Sequence, residues 1–238
     1  MRQKCIHGQT IILFLLLLIS SSIEAQEKSI KDYQKSDYPF DERTSFTPIY
    51  NRQNLSGWTM QGKGFWNVEQ GNIVGRQDPS EEEDSWLFTS AEWTDFALEL
   101  EFNLPENGNC GIGIRMPKDS IGSPDVHGYE VQISDLPKRK LTGSLLHHVE
   151  SKGNNQYHPN QWNRLAIICE GERIRVYLNK EKIQDEKVKG SGKGRIGLQI
   201  PKDVEFSKQV VRFRNLRVKD LNRQHETRIK ISAKQKLS

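Results

Sequence analysis

Residues 95–104, DFALELEFNL, constrain this chain more than any other segment. Phe96, Leu98, Leu100, Phe102 and Leu104 fall on one side, and Ala97, Glu99, Glu101 and Asn103 on the other. A period of two means an extended strand with one buried face. Shorter runs of the same kind occur at 65–69, 72–76, 85–89, 110–116, 128–134, 142–148, 164–170, 173–179, 194–200 and 210–218. Turn signals separate them: Gln70-Gly71, Asn107-Gly108, Glu170-Gly171 and Gly190-Ser191-Gly192. No segment holds a long 3.6-residue apolar period. Ten or more short strands with regular turns predict an all-β fold, a sandwich or jelly roll of two antiparallel sheets rather than βαβ units. The chain's 238 residues suffice for one generous domain or two small ones, with a real core.

The start and the end of the chain do not follow this pattern. Arg2 and Lys4 precede an unbroken apolar run from Ile11 to Ile19, then three serines and Ile23-Glu24-Ala25. That layout predicts a secretory signal peptide over residues 1–25, cleaved after Ala25. The run is shorter than the roughly 20 residues of a membrane-spanning helix. Residues 26–44 are polar without a period and read as a linker, so the domain is expected over 45–221. Residues 222–238 carry five cations against Glu226. The formal net charge of +4 thus belongs to this tail, which reads as flexible. The leader contributes +1, leaving 26–221 at −1. A balance so small gives no argument for nucleic acid, and a neutral sugar suits the domain. Cys110 and Cys169 lie in apolar strand patterns; an exported protein can pair them, yet two buried thiols fit equally well. There is no CxxC and no zinc spacing.

Alternation also assigns faces for chemistry. In 109–115, Cys110, Ile112 and Ile114 form an apolar row, opposite Asn109, Gly111, Gly113 and Arg115. In 128–134, Tyr129, Val131 and Ile133 oppose Glu130, Gln132 and Ser134. Two glycines beside an arginine predict open space where a ligand approaches the backbone. The competing reading is an ordinary solvated outer face. Most glycosidases set two carboxylates across the scissile bond. Glu130 has no carboxylate among its same-face neighbours, because Asp135 lies at an odd offset. The acidic run Glu81 to Asp84 reads as a solvated loop, and 190–194 as a glycine turn rather than a phosphate loop. Trp86 and Trp93 are candidates for core packing or for stacking on a sugar.

The same residues carry a family resemblance. IYNRQNLSGW (49–58), WNVEQGNIVG (66–75), DFALELEF (95–102), GNCGIGIR (108–115) and HGYEVQISD (127–135) resemble motifs of the 3-keto-disaccharide hydrolase family. TGSLL (142–146), QWNRLAI (161–167), GRIGLQI (194–200) and VRFRNLRV (211–218) follow in the family's order, so the resemblance covers 46–221. It implies a concanavalin A-like jelly roll and an exported enzyme acting on 3-keto-glycosides. A ketone at C3 makes the C2 hydrogen acidic; a base removes it, and the group at C1 leaves, by elimination or with water addition as net hydrolysis. Such chemistry needs one base and a positive group or metal at the enolate oxygen.

By position, the resemblance places Glu130 as base or metal ligand and Arg115 as the clamp on enolate or hydroxyl. Gln132 orients the sugar, with Asn109 and Ser134 beside it, and His127 is an alternative base. Arg115 and Glu130 forming a structural ion pair is the competing reading. Many family members carry a histidine in the strand equivalent to 173–179 and another after the late Leu-Gln pair. Here Val176-Tyr177-Leu178-Asn179-Lys180 and Ile200 stand instead. His147 and His148 follow the TGSLL segment, and one of them, His148 in the site assignment, is expected to compensate. Dependence on a divalent metal stays open. So does the alternative of a non-catalytic carbohydrate-binding jelly roll. A sugar or oligosaccharide is the expected ligand in each case, in the periplasm, at the outer envelope or outside the cell.

Overall fold

The expected alternation of 95–104 is the central feature of the larger of two sheets. The computed structural model describes residues 37–78, 83–118, 128–136, 141–151, 157–189, 192–202, 206 and 208–222. The predicted signal peptide, most of the linker and the basic tail beyond Asn222 lie outside these residues. Among the described residues thirteen strands run in chain order: β1 (Thr47–Pro48), β2 (Trp58–Gln61), β3 (Phe65–Glu69), β4 (Asn72–Arg76), β5 (Ser85–Thr89), β6 (Phe96–Asn103) and β7 (Asn109–Met116). They continue with β8 (Tyr129–Ser134), β9 (Asn163–Glu170), β10 (Arg173–Leu178), β11 (Glu181–Lys187), β12 (Arg195–Ile200) and β13 (Val210–Asp220). The eight-stranded sheet has the order β11-β10-β9-β6-β13-β4-β3, with β1 also paired to β13, and the five-stranded sheet the order β2-β5-β12-β7-β8. All pairings are antiparallel.

The inner faces of the two sheets make one core. Phe96, Leu98, Leu100 and Phe102 from β6 meet Cys110, Ile112 and Ile114 from β7 in a single apolar cluster. Each of these side chains is at most 1% exposed, and full burial of such a group contributes roughly 1.5–3 kcal/mol. Cys110 and Cys169 sit in that cluster as free thiols, which resolves the open pairing.

Three local readings change. The expected strand at 142–148 is a turning segment held against β8: Thr142 N donates to Ser134 O, Gly143 N to Gln132 O and Leu146 N to Glu130 O. Gly143 at φ 90° and His147 at φ 61° bend it away from extended geometry. A charged strand, β11, caps the larger sheet where EKIQDEK shows little apolar signal. Residues 38–44, read as linker, also belong to the domain. Tyr38 and Phe40 join Phe46 over Ala97, Ala166, Ile168 and Tyr177 on the outer face of the larger sheet. Tyr38 Oη donates to Glu99 Oε1 at 2.6 Å.

Candidate active site

The outer face of the five-stranded sheet gathers most of the predicted groups. Cross-strand register places Gln61, Trp86, Gln199, Gly111 and Gln132 in one row across β2-β5-β12-β7-β8. Thr59, Phe88, Gly197, Gly113 and Glu130 form the next row, and Asn109 lies opposite Ser134. Residues directly opposite share a face, so Glu130, Gln132, Asn109, Ser134 and Gln199 stand together.

The glycines on this face are filled by side chains, where the sequence predicted open space. A Cβ on Gly111 would lie 2.1 Å from Glu130 Oε1. The Glu130 side chain therefore lies over Gly111 of β7, one strand in from the edge strand that carries it. A Cβ on Gly197 would lie 2.5 Å from Phe88, and one on Gly113 3.0 Å from Trp86. Trp86 and Phe88 stack at 5.4 Å with planes 5° apart, and the Arg195 guanidinium sits 4.3 Å over the Phe88 ring. Trp86 is 3% exposed, a packed wall of the site rather than an open stacking surface. Trp93 packs against the core and Phe96.

Glu130 is 3% exposed among carboxamides. Gln132 Nε2 donates to Asn109 Oδ1, and the Asn109 backbone is held by Gln209 at both its N–H and its carbonyl. Gln199, one strand over, donates through Nε2 to Asp84 Oδ2 at 2.9 Å. Its Oε1 is buried with no hydrogen-bond partner among the described residues. Asp84, read from the sequence as part of a solvated loop, also accepts from Lys202 N at 2.8 Å. Burial, and then the Glu130 charge, push the Cys110 thiol well up from its ordinary range. Ser134 is fully buried, its backbone bonded to Thr142 Oγ1.

Arg115 does not face Glu130. Gly113 pairs with Gly197 and Met116 with Arg195, so Ile114 and Arg115 together oppose one residue of β12 in a bulge. Arg115 takes φ 52° there. A bulge inverts the alternation beyond it. Met116 takes the glycine side beside Trp86, and the guanidinium turns toward the other sheet. Arg115 Nε donates to Thr94 O at 2.8 Å, Nη1 to Gly171 O at 2.6 Å and Nη2 to Asp95 Oδ1 at 3.0 Å. All three contacts are structural and tie β7 to the ends of β6 and β9. His148 is exposed and packs edge-on at 5.0 Å against Tyr129, whose side chain points to the face of β8 opposite Glu130. His127 lies outside the described residues.

No group of three or more His, Cys, Asp and Glu side chains gathers among the described residues. Glu130 is the one carboxylate in the two rows across this sheet, and a single carboxylate does not fit a tightly held divalent cation. Sequence reasoning missed Gln199, which register sets across from Gly111 and so beside Glu130, and Asp84, which holds Gln199. The Leu198-Gln199 pair and the acidic run were visible, but nothing local signalled that β12 lies beside β7 with β5 beyond it.

The fold is a jelly-roll sandwich of the galectin-like kind, and its two sheets and glycine-rich strand belong to a defined class of carbohydrate-related domains. Residues 45–219 match the 3-keto-alpha-glucoside-1,2-lyase-like domain, and the chain belongs to that family. Two putative glycosyl hydrolases from Parabacteroides distasonis share the fold. One is 20% identical over 75% of this chain and 100% of its own, with a TM-score of 0.60. The other is also 20% identical, over 74% and 94%, with a TM-score of 0.62. A Bacillus subtilis protein of unknown function with a galectin-like fold is 13% identical over 73% and 94%, with a TM-score of 0.57. Comparison with curated proteins gives no match. Among the described residues no helix is long and apolar enough to cross a membrane.

Proposed function

We propose that this protein is an exported enzyme that cleaves 3-keto-glycosides, with Glu130 as its base. The observation that carries the reading is Glu130 itself, a buried carboxylate laid over Gly111 on a face it shares with the carboxamides of Gln132, Asn109 and Gln199 and the rings of Trp86 and Phe88, in a chain of this family. The Glu130 carboxylate takes the C2 proton, and the electron pair becomes the C2–C3 enolate. Collapse of the enolate restores the C3 carbonyl, forms a C1–C2 double bond and breaks the bond from C1 to the leaving oxygen. That oxygen takes the proton back from Glu130, and the step is balanced as an elimination. Addition of water across the double bond makes net hydrolysis. Carboxamide N–H groups of Gln132 and Asn109 are the donors on this face for the enolate oxygen. The lone Gln199 Oε1 is an acceptor for a sugar hydroxyl. Each of the three guanidinium nitrogens of Arg115 is committed elsewhere, and the residue serves the fold. The secretory leader supports export.

Incubating the protein with a 3-keto-glucoside, with and without a chelator, tests this reading through loss of substrate and release of the aglycone. Turnover that survives the chelator and vanishes in Glu130→Gln supports it. Full activity of Glu130→Gln would remove Glu130 as base. Absence of turnover with retained glycan binding would favour a carbohydrate-binding module, the reading that the missing family histidines support.

A further inference from the structure

A polar hollow lies on the outer face of the other sheet, remote in topology from Glu130. It has a volume of about 600 Å³, within the roughly 300–1,000 Å³ of small-ligand sites. Arg212 and Arg214 project from β13 on one face, Asn103 lies opposite Arg212 on β6, and Asn72 begins β4. Arg52 closes one side from the loop after β1, lying against the Gln70-Gly71 turn. Trp162 and Asn160 close the other.

What distinguishes this hollow is its unmatched positive charge. In the adjoining hollow, which shares Arg52, the other cations are taken: Arg217 and Arg164 by Glu99, and Arg164 also by Glu101. Arg214 is likewise committed, with Nε 2.6 Å from Glu101 and its guanidinium 3.9 Å over the Trp162 ring. Arg52 and Arg212 form no ion pair with any described residue. Arg212 makes itself felt at Glu69, whose carboxyl is held below its ordinary range, but first by hydrogen bonds from Arg76 and Asn67. Two unspent guanidinium forks in a domain of net charge −1 are a site for an oxyanion. Carboxamides of Asn72, Asn103 and Asn160 around them suit hydroxyl groups rather than an apolar body.

We propose that this hollow binds an acidic saccharide, its anionic group held by Arg52 and Arg212 and its hydroxyls by the surrounding carboxamides. Recognition here does not rest on the Glu130 reading, and binding at this face anchors the protein to an acidic glycan. Calorimetric titration with a galacturonate trisaccharide, a sulfated disaccharide and the neutral parent of each tests it. An acidic probe is expected to bind at least tenfold more tightly than its neutral parent; which probe does so separates carboxylate from sulfate recognition. The double variant Arg52→Ser/Arg212→Gln is expected to lose at least tenfold in that affinity with an unchanged melting temperature, and Glu130→Gln to lose none. Equal affinity for acidic and neutral probes would overturn the proposal, as would unchanged binding by the double variant. Inorganic sulfate binding as tightly as the acidic sugars would overturn it too, leaving an adventitious ion only.

Discussion

Single residues decide where the chemistry of this domain lies. Glu130 lies over the neighbouring strand β7 because Gly111 has no side chain beneath it. Gly111→Ala should push the carboxylate aside, lowering kcat per folded molecule at least tenfold, and should lower the melting temperature too, since the new Cβ would meet the buried Glu130 side chain from its carboxylate down to Cγ. Glu130→Gln should reduce turnover of a 3-keto-glucoside by about 10²–10⁴ with sugar binding retained, measured by calorimetry beside the turnover assay. Arg115 makes the opposite prediction. Its guanidinium is 3% exposed and meets Thr94 O, Gly171 O and Asp95. Arg115→Met should cost about 3–5 kcal/mol in urea unfolding, because Asp95 loses its buried partner. Turnover per folded molecule should hold. A fall in kcat at unchanged stability would instead return Arg115 to the chemistry.

Elements differ from the sequence pattern where bulges and edges intervene. The bulge in β7 turns Arg115 to the inner side, and a second in β13 lets Arg214 and Arg217 share the outer face despite their odd spacing. Asn215, at φ 55°, lies within it. Period-two reasoning holds only within an unbroken ladder, so β6, which has no bulge over its inward row, was legible in full. At the segment 38–46, Tyr38, Phe40 and Phe46 form a T-shaped aromatic chain that continues to Tyr177. Three scattered aromatics among polar residues have no period to read. Starting the chain at Phe46 should expose Ala97, Ala166 and Tyr177 and lower stability by roughly 2–5 kcal/mol, on the scale of two lost aromatic side chains.

The molecule as a whole sets the behaviour of Cys110 and Cys169. Both lie in the common core, and burial pushes the Cys169 thiol up to about 12, only partly offset by Arg115. Neither should react with iodoacetamide at pH 8 in the native state, and both should do so in denaturant, as mass spectrometry would report. A thiol whose folded pKa is raised keeps its full contribution below its unfolded value. Stability should therefore decline from about pH 9 as solution pH climbs toward 12, by several kcal/mol in denaturant titrations. A flat profile across that range would contradict the burial of Cys169.

The alternation of apolar residues determined by itself that this chain is a two-sheet sandwich, since only strands with one buried face satisfy it. The residue motifs carried the family, and the same-face grouping of Glu130, Gln132 and Ser134 followed from period two alone, while Asn109 joins them through the pairing of β7 with β8. Tertiary structure decided the rest. It brought Gln199, held by Asp84, to the face of Glu130, because strand order sets β12 between β5 and β7 across long stretches of chain. It filled the glycine floor with Glu130, Trp86 and Phe88, and it took Arg115 away through a bulge that no local pattern announces. Which side chains meet depends on register and order between distant strands, and those are fixed by how the whole core packs.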